Sequence, residues 1–336
     1  MIHHRPLVSV DWLCGFFEKS RQAFYQICHR KDKQNINEEL IVDYVAAYRQ
    51  DMKIIGTRKL HHLLQPQLTA SGIKCGRDKL FSILRSRDLL VKPRKKIRGP
   101  TRRTPISRHF PNLIKGMVIE EPESVWVGDT TAIPVRDGLS YLVLVTDTYS
   151  KLVMGYNYQR TKEKSGPCKA LDAAVNMRWY PQRQVIYHSD GGSEFYNKEF
   201  LSKLVNYHIR ASCTAPSSPL ENPVAERING ILKQEFLLSE EVRSFDQVAQ
   251  ALPKAIRIYN EQRPHTSIDY KTPREAHACS GYLKRRWKNY KKTNVRDAEL
   301  SHIGSEIQGI MQSWQINVDN MFTLKKESSK ERNKTL

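Results

Sequence analysis

Acidic residues are scarce at both ends of this chain. Residues 1–115 carry nine Asp and Glu against 24 Lys and Arg, and residues 92–103 carry no acid at all. Long apolar runs are missing too. None approaches the roughly 20 residues a bilayer-spanning helix needs, so no membrane-spanning helix is expected. The opening Met1-Ile-His-His-Arg-Pro has no apolar core of the signal-peptide kind, and the expectation is a cytoplasmic chain. Only six cysteines occur, at 14, 28, 75, 168, 213 and 279, with no Cys-x-x-Cys pair. They are expected to be reduced and mostly buried. His3-His4 and His61-His62 lack cysteine partners at finger spacing, which argues against structural zinc. There is no internal repeat and no leucine-zipper heptad run. The polar tail 325–336 has the composition of a disordered segment.

What is present is positive charge, net +20 over 336 residues. It sits on the flanks. Residues 116–275 are nearly neutral, with 19 Lys and Arg against 20 acids, and residues 276–336 return to 12 against 6. A neutral centre between basic arms is the pattern of a catalytic core with polyanion-binding flanks.

The N-terminal third reads as helical. Residues 8–17 and 21–30 are two short helices around Glu18-Lys-Ser20, with Ser20 as cap of the second. The pair has helix-turn-helix proportions and would present Arg21, Gln22 and Gln26 to DNA. A second group follows: an amphipathic helix over 37–52, a helix over 58–64 after Gly56-Thr57, and a helix over 77–87 after the loop bracketed by Gly72 and Gly76. Arg58 and Lys59 are its candidate DNA contacts. Residues 92–103 contain seven Lys and Arg with Pro and Gly interrupting any helix. This stretch, with Arg94, Lys95, Lys96 and Arg98, is expected to lie along phosphates. The division expected is 1–35 and 36–91 as two helix-turn-helix-like regions, 92–118 as a basic linker, 119–277 as the core and 278–336 as a basic extension. In the last, Lys284-Arg285-Arg286 with Trp287 and Tyr290 is either a further DNA contact or a solubilising tail.

The core changes period. Residues 125–135 and 139–149 form a hairpin around Arg136-Asp137-Gly138. A strand over 152–159, a helix over 165–179, a strand over 184–188, a helix over 197–207 and a strand over 209–214 follow. Helices over 222–236 and 244–259 close the core. This order gives an α/β fold, a mixed sheet flanked by helices.

Three acids stand at suggestive places in that succession. Asp129 lies on the first strand, Asp190 just past the fourth, and Glu226 inside a helix, 35 residues after Asp190. Carboxylates on rigid elements suit divalent ions, which take oxygen ligands and, as a pair, activate and stabilise both oxygens of an in-line phosphoryl displacement. Taken singly, each acid has an ordinary explanation: a strand end, an Asx turn with Gly191, an exposed helix glutamate. Together they fit one site. Gly191-Gly192 leave room for a phosphate, and Asn222, Glu226, Asn229 or Gly230, and Lys233 share one helix face. Lys233, Arg227 and Asn222 are the candidate DNA contacts there. Asp137, Asp147, Glu194 and Glu221 are the competing acids, Glu194 being the nearest substitute for Asp190.

With these residues in view, the chain resembles the orfB-type transposases of bacterial insertion sequences, whose core is of the retroviral-integrase (DDE) kind. The matching text is Trp126-Val-Gly-Asp129, Leu142-Val-Leu-Val-Thr-Asp147, His188-Ser-Asp190-Gly-Gly, Asn222-Pro-Val-Ala-Glu226 with Lys233, and Tyr259-Asn260 through Arg263-Pro-His265 and Thr272-Pro273. The resemblance spans about 7–277. It implies an RNase-H-like core, Mg²⁺ or Mn²⁺ held as two ions by Asp129, Asp190 and Glu226, and cleavage at element ends followed by strand transfer by a 3′-hydroxyl. It implies double-stranded DNA as partner, a homo-oligomer on that DNA, nucleoid association when bound, and an upstream reading-frame product as possible companion or fusion. The loop Ser217-Ser-Pro-Leu-Glu-Asn222 departs from the family's pattern. The competing function is a catalytically idle DNA-binding regulator.

Overall fold

The computed structural model describes residues 9–92, 110–190, 192–214, 223–237 and 243–284, all within the compact unit Met1–Arg286. Five strands form one sheet: β1 (Val125–Val135), β2 (Gly138–Asp147), β3 (Val153–Gln159), β4 (Ile186–Ser189) and β5 (Arg210–Cys213), in the order β3-β2-β1-β4-β5. The β1–β2 and β2–β3 pairings are antiparallel, while β4 joins β1 and β5 joins β4 in parallel. This is the expected RNase-H-like mixed sheet. The hairpin turns at Arg136-Asp137, with Val135 paired to Gly138. Gly138 takes φ 119°, a conformation costly for any residue with a Cβ.

Alternation along the strands sends successive side chains to opposite faces. Trp126, Val143, Val145 and Tyr187 go to one, where α5 (Ser165–Asn176) and α6 (Lys198–Asn206) cover them with Cys168, Leu171, Ala174, Phe200 and Leu204. Ile133, Val135, Leu142, Leu144 and Val153 go to the other. There α7 (Pro223–Ile231) and α8 (Phe245–Glu261) supply Ile228, Ile231, Val248, Leu252 and Tyr259. A single π-helical turn, Leu232–Leu237, continues α7. The last helix, α9 (Pro273–His277), buries His277 at the far end of β2, and Gly281 N–H still bonds Glu120 C=O. Packing thus runs four residues past the core boundary expected at 277.

The N-terminal helices are numbered α1 (Val10–Phe16), α2 (Arg21–Asp51), α3 (Thr57–Ala70) and α4 (Arg77–Ser86). Ser20 caps α2 as expected, its side chain accepting from Ala23 N–H. The expected break after Arg30 is absent. Lys31-Asp-Lys-Gln-Asn-Ile36 contains neither Gly nor Pro, so nothing stops the helix, and the boundary drawn at 35/36 falls inside it. Ile41, Val45, Leu60, Leu64, Leu80 and Ile83 make a separate small core that also takes in Ile258 of α8. Lys254 pairs with Asp51 at 2.7 Å and His62 stacks on Tyr270, so α8 seats the helical region on the sheet domain.

Candidate active site

The parallel register sets Gly128 beside Ser189. Asp129, within β1, and Asp190, just past the end of β4, are the next residue on each strand, where paired backbones run about 5 Å apart. A Cβ at Gly128 would collide with the buried Tyr187 hydroxyl, so only glycine lets β1 and β4 lie this close at that point. Asp129 points to the α7 face and Asn229 of α7 donates Nδ2–H to its Oδ2 at 2.6 Å. Burial first, then the Asp190 charge, push Asp129 up to about 7, with Glu226 adding to the rise. The Asn229 and Thr130 N–H donors oppose it. The three acids expected from the sequence are therefore electrostatically coupled at one place.

They are not drawn into a tight cage. Asp190 is exposed, with Oδ1 accepting from Gly192 N–H at 3.1 Å, and Glu226 is exposed on the first turns of α7. Among the described residues, no three His, Cys, Asp or Glu side chains stand at metal-binding distance. Mutual repulsion between uncompensated carboxylates accounts for the looseness. The donor set itself, oxygen-only with surplus negative charge around a part-buried aspartate, fits a divalent cation of the magnesium type.

Lys233, on the π-helical turn, donates Nζ–H to Thr131 Oγ1 at 2.7 Å, two residues from Asp129. The sequence spacing sets Lys233 on the same helix face as Glu226, a turn or two further on. Arg227 is exposed beside Glu226. Asn229 was legible as a residue of that face but not as the partner of Asp129, because nothing in spacing tells Asn229 from Gly230. Its Oδ1 is buried and has no hydrogen-bond partner among the described residues. Lys162, which follows β3, pairs with Glu194 at 2.9 Å and has no sequence signal.

The other candidates scatter. Arg58 is exposed on α3. Lys59, one residue on, is half-buried instead, and burial followed by the Arg263 charge pushes it down to about 8. It faces the helical region's seat on the core rather than open solvent, because α3 turns Leu60 and Leu64 inward next to it. Asn222, Glu221, Arg94, Lys95, Lys96 and Arg98 lie outside the described residues. Asp137 is at the hairpin tip as expected. Asp147 is fully buried and accepts from Glu123 N–H, Ser150 N–H and Ser150 Oγ–H. It is structural.

The motif from Tyr259 to His265 is structural too. Asn260 accepts from Val153 N–H and donates to Val153 C=O, satisfying the β3 edge. Arg263, 1% exposed, grips Glu235 with two bonds of 2.7 and 2.6 Å. Burial and the Arg263 charge hold His265 well below the usual histidine range, so it is neutral. Near α9, burial alone would raise the Glu123 carboxyl; donors from His277, Arg178, Trp179 N–H and Tyr180 N–H overcome this and hold it at about 2.

Known proteins similar to this chain fall in one group. One family model described as an integrase core domain matches residues 119–219, and another of the same description matches 207–273. The insertion element IS600 31 kDa protein of Shigella sonnei is 27% identical over 267 residues, covering 78% of this chain and 96% of its own. The transposase of insertion sequence IS904 of Lactococcus lactis is 25% identical, covering 73% and 96%. Transposase InsF of insertion sequence IS3A of Escherichia coli K12 is 24% identical, covering 78% and 92%. Among solved structures, the HTLV-2 integrase catalytic core domain in complex with magnesium (trimeric form) is 22% identical, covers 47% and 97%, and has a TM-score of 0.36. Residues 119–273 thus match models of an integrase core domain, and the chain is similar to transposases of bacterial insertion sequences.

Proposed function

We propose that the protein is a DNA transposase that cuts at the ends of its insertion sequence and joins the freed 3′-hydroxyl to target DNA. The observation that carries this is the register of β1 with β4, which sets Asp129 and Asp190 side by side under the charge of Glu226. Two Mg²⁺ or Mn²⁺ ions held by these acids would activate the attacking oxygen and stabilise the leaving one. Asn229 fixes the Asp129 carboxylate from below α7. Lys233, tied to Thr131, is placed to hold a phosphate of the bound strand. The exposure of Asp190 and Glu226 leaves them open to a backbone as wide as DNA. Duplex DNA, element ends and target, is the partner. Assembly as a homo-oligomer on that DNA, with or without an upstream reading-frame product, completes the proposal, as does residence on the nucleoid.

The test is incubation of the full chain with labelled duplex bearing the terminal sequences of its own locus, with Mg²⁺. Nicking followed by joined products is expected. Binding without nicking would instead mark an idle regulator, and nicking without joining a simple nuclease.

A further inference from the structure

The connection from β3 into α5 brings a second lysine to the acids. Lys162 Nζ lies 2.9 Å from Glu194 Oε1, with the lysine side chain 52% exposed and the glutamate 9%. Glu194 sits in the 3₁₀ turn Ser193–Phe195 that follows Asp190. A Cβ on Gly192 would come within 2.9 Å of Glu194 Oε2 and 3.0 Å of Asp190 Oδ1, so both carboxylates border one small space. Glu194 first, and Asp190 as well, hold the Lys162 ammonium above its ordinary range. Lys233 reaches the acids from α7, on one face of the sheet. Lys162 leads into α5, and Phe195 beside Glu194 packs in the core of the other face.

Three carboxylates repel the phosphodiester they act on, and the neighbouring phosphates of the same strand are repelled with it. Lys233 offsets this on one side. We propose that Lys162 is a second phosphate-contacting lysine of the site, holding the DNA backbone on the side opposite Lys233, with Glu194 as the anchor that fixes its ammonium there. An ammonium has three donors, and Glu194 accounts for one while half the side chain stays in solvent. The inference rests on the DNA-cutting reading above.

The experiment is the salt dependence of binding to a labelled terminal duplex by the full chain, with Ca²⁺ replacing Mg²⁺ so that no cutting intervenes. Lys162→Met should bind about 5–10-fold more weakly near 0.1 M salt, and the slope of log K against log salt should be shallower by about one. Glu194→Gln keeps the shape and an amide oxygen that still accepts from Lys162 while removing one repelling charge, so its binding should equal or exceed wild type. The double variant Lys162→Met with Glu194→Gln leaves no unpaired buried carboxylate. It should show the same loss of slope even where the single lysine variant folds poorly. A folded Lys162→Met or double variant with wild-type affinity and slope would overturn the proposal and leave Lys162 a mere counterion of Glu194. If the wild-type chain still cuts its terminal duplex in Mg²⁺ in that case, the DNA-cutting reading stands. A wild-type chain that fails to cut its terminal duplex in Mg²⁺ sinks that reading, whatever Lys162 does.

Discussion

Asp129 carries the largest electrostatic burden of any residue in the site. Its carboxyl is pushed up to about 7 by burial and by Asp190. Between the ordinary aspartate value and 7, the folded chain holds a proton that the unfolded chain has released, so stability falls as pH rises through that window. Asp129→Asn removes the burden and keeps an acceptor for Asn229. Without divalent ions, its thermal midpoint should exceed wild type at pH 8, by roughly 1–3 kcal/mol of stability. Near pH 4 the two should coincide. A gain that persists at pH 4, or none at pH 8, would contradict this origin. Asn229 acts through Asp129. Asn229→Leu fills the same space, drops the donor and removes a buried acceptor that has no partner among the described residues. Calorimetric titration with Ca²⁺ should show about tenfold weaker ion binding with little change in melting. Unchanged affinity with altered melting would make Asn229 a packing residue only. The three proposed acids stand out in the sequence because their types and chain order are unusual together. It did not show Asn229 or Lys162, whose roles depend on which strand end they meet.

At the scale of elements, strands and core helices were legible because period-two and period-3.6 patterns alternate cleanly between turn residues. The strand Val125–Val135 and the helix starting at Ser165 fall where the pattern places them. The N-terminal helices were less so. Residues 31–35 are all polar and interrupt the apolar spacing, yet they lack any helix-stopping residue and α2 runs through. The motif from Tyr259 to His265 reads as a family signature, but its side chains are spent on the fold. Arg263 and Glu235 are both largely buried and doubly bonded. Arg263→Ala leaves Glu235 without its cation, which typically costs about 3–5 kcal/mol. A denaturant melt should show that loss. If stability is kept while DNA binding drops, Arg263 is a DNA contact and the structural assignment is wrong.

For the whole molecule, charge and fold divide the work. The sheet domain is nearly neutral and holds the acids, while the region before it carries 24 Lys and Arg against nine acids. Such an excess makes binding strongly salt-dependent through counterion release. The helical region is seated on the core through α8, with Lys254–Asp51 and Ile258 in the contact. That contact was invisible in the sequence, because Lys59 reads as one more basic residue until α3 is docked. On the proposed function, DNA binding draws mainly on the basic flank and the chemistry on the three acids, so the two are separable by mutation. The most direct test replaces Asp129→Asn, Asp190→Asn and Glu226→Gln one at a time. Each variant is then assayed for binding, nicking and joining of terminal duplex in Mg²⁺. Each amide keeps the shape of its acid and loses the charge, so binding should stay near wild type while nicking and joining both disappear. A Glu226→Gln protein that joins strands at an undiminished rate would contradict the three-acid site.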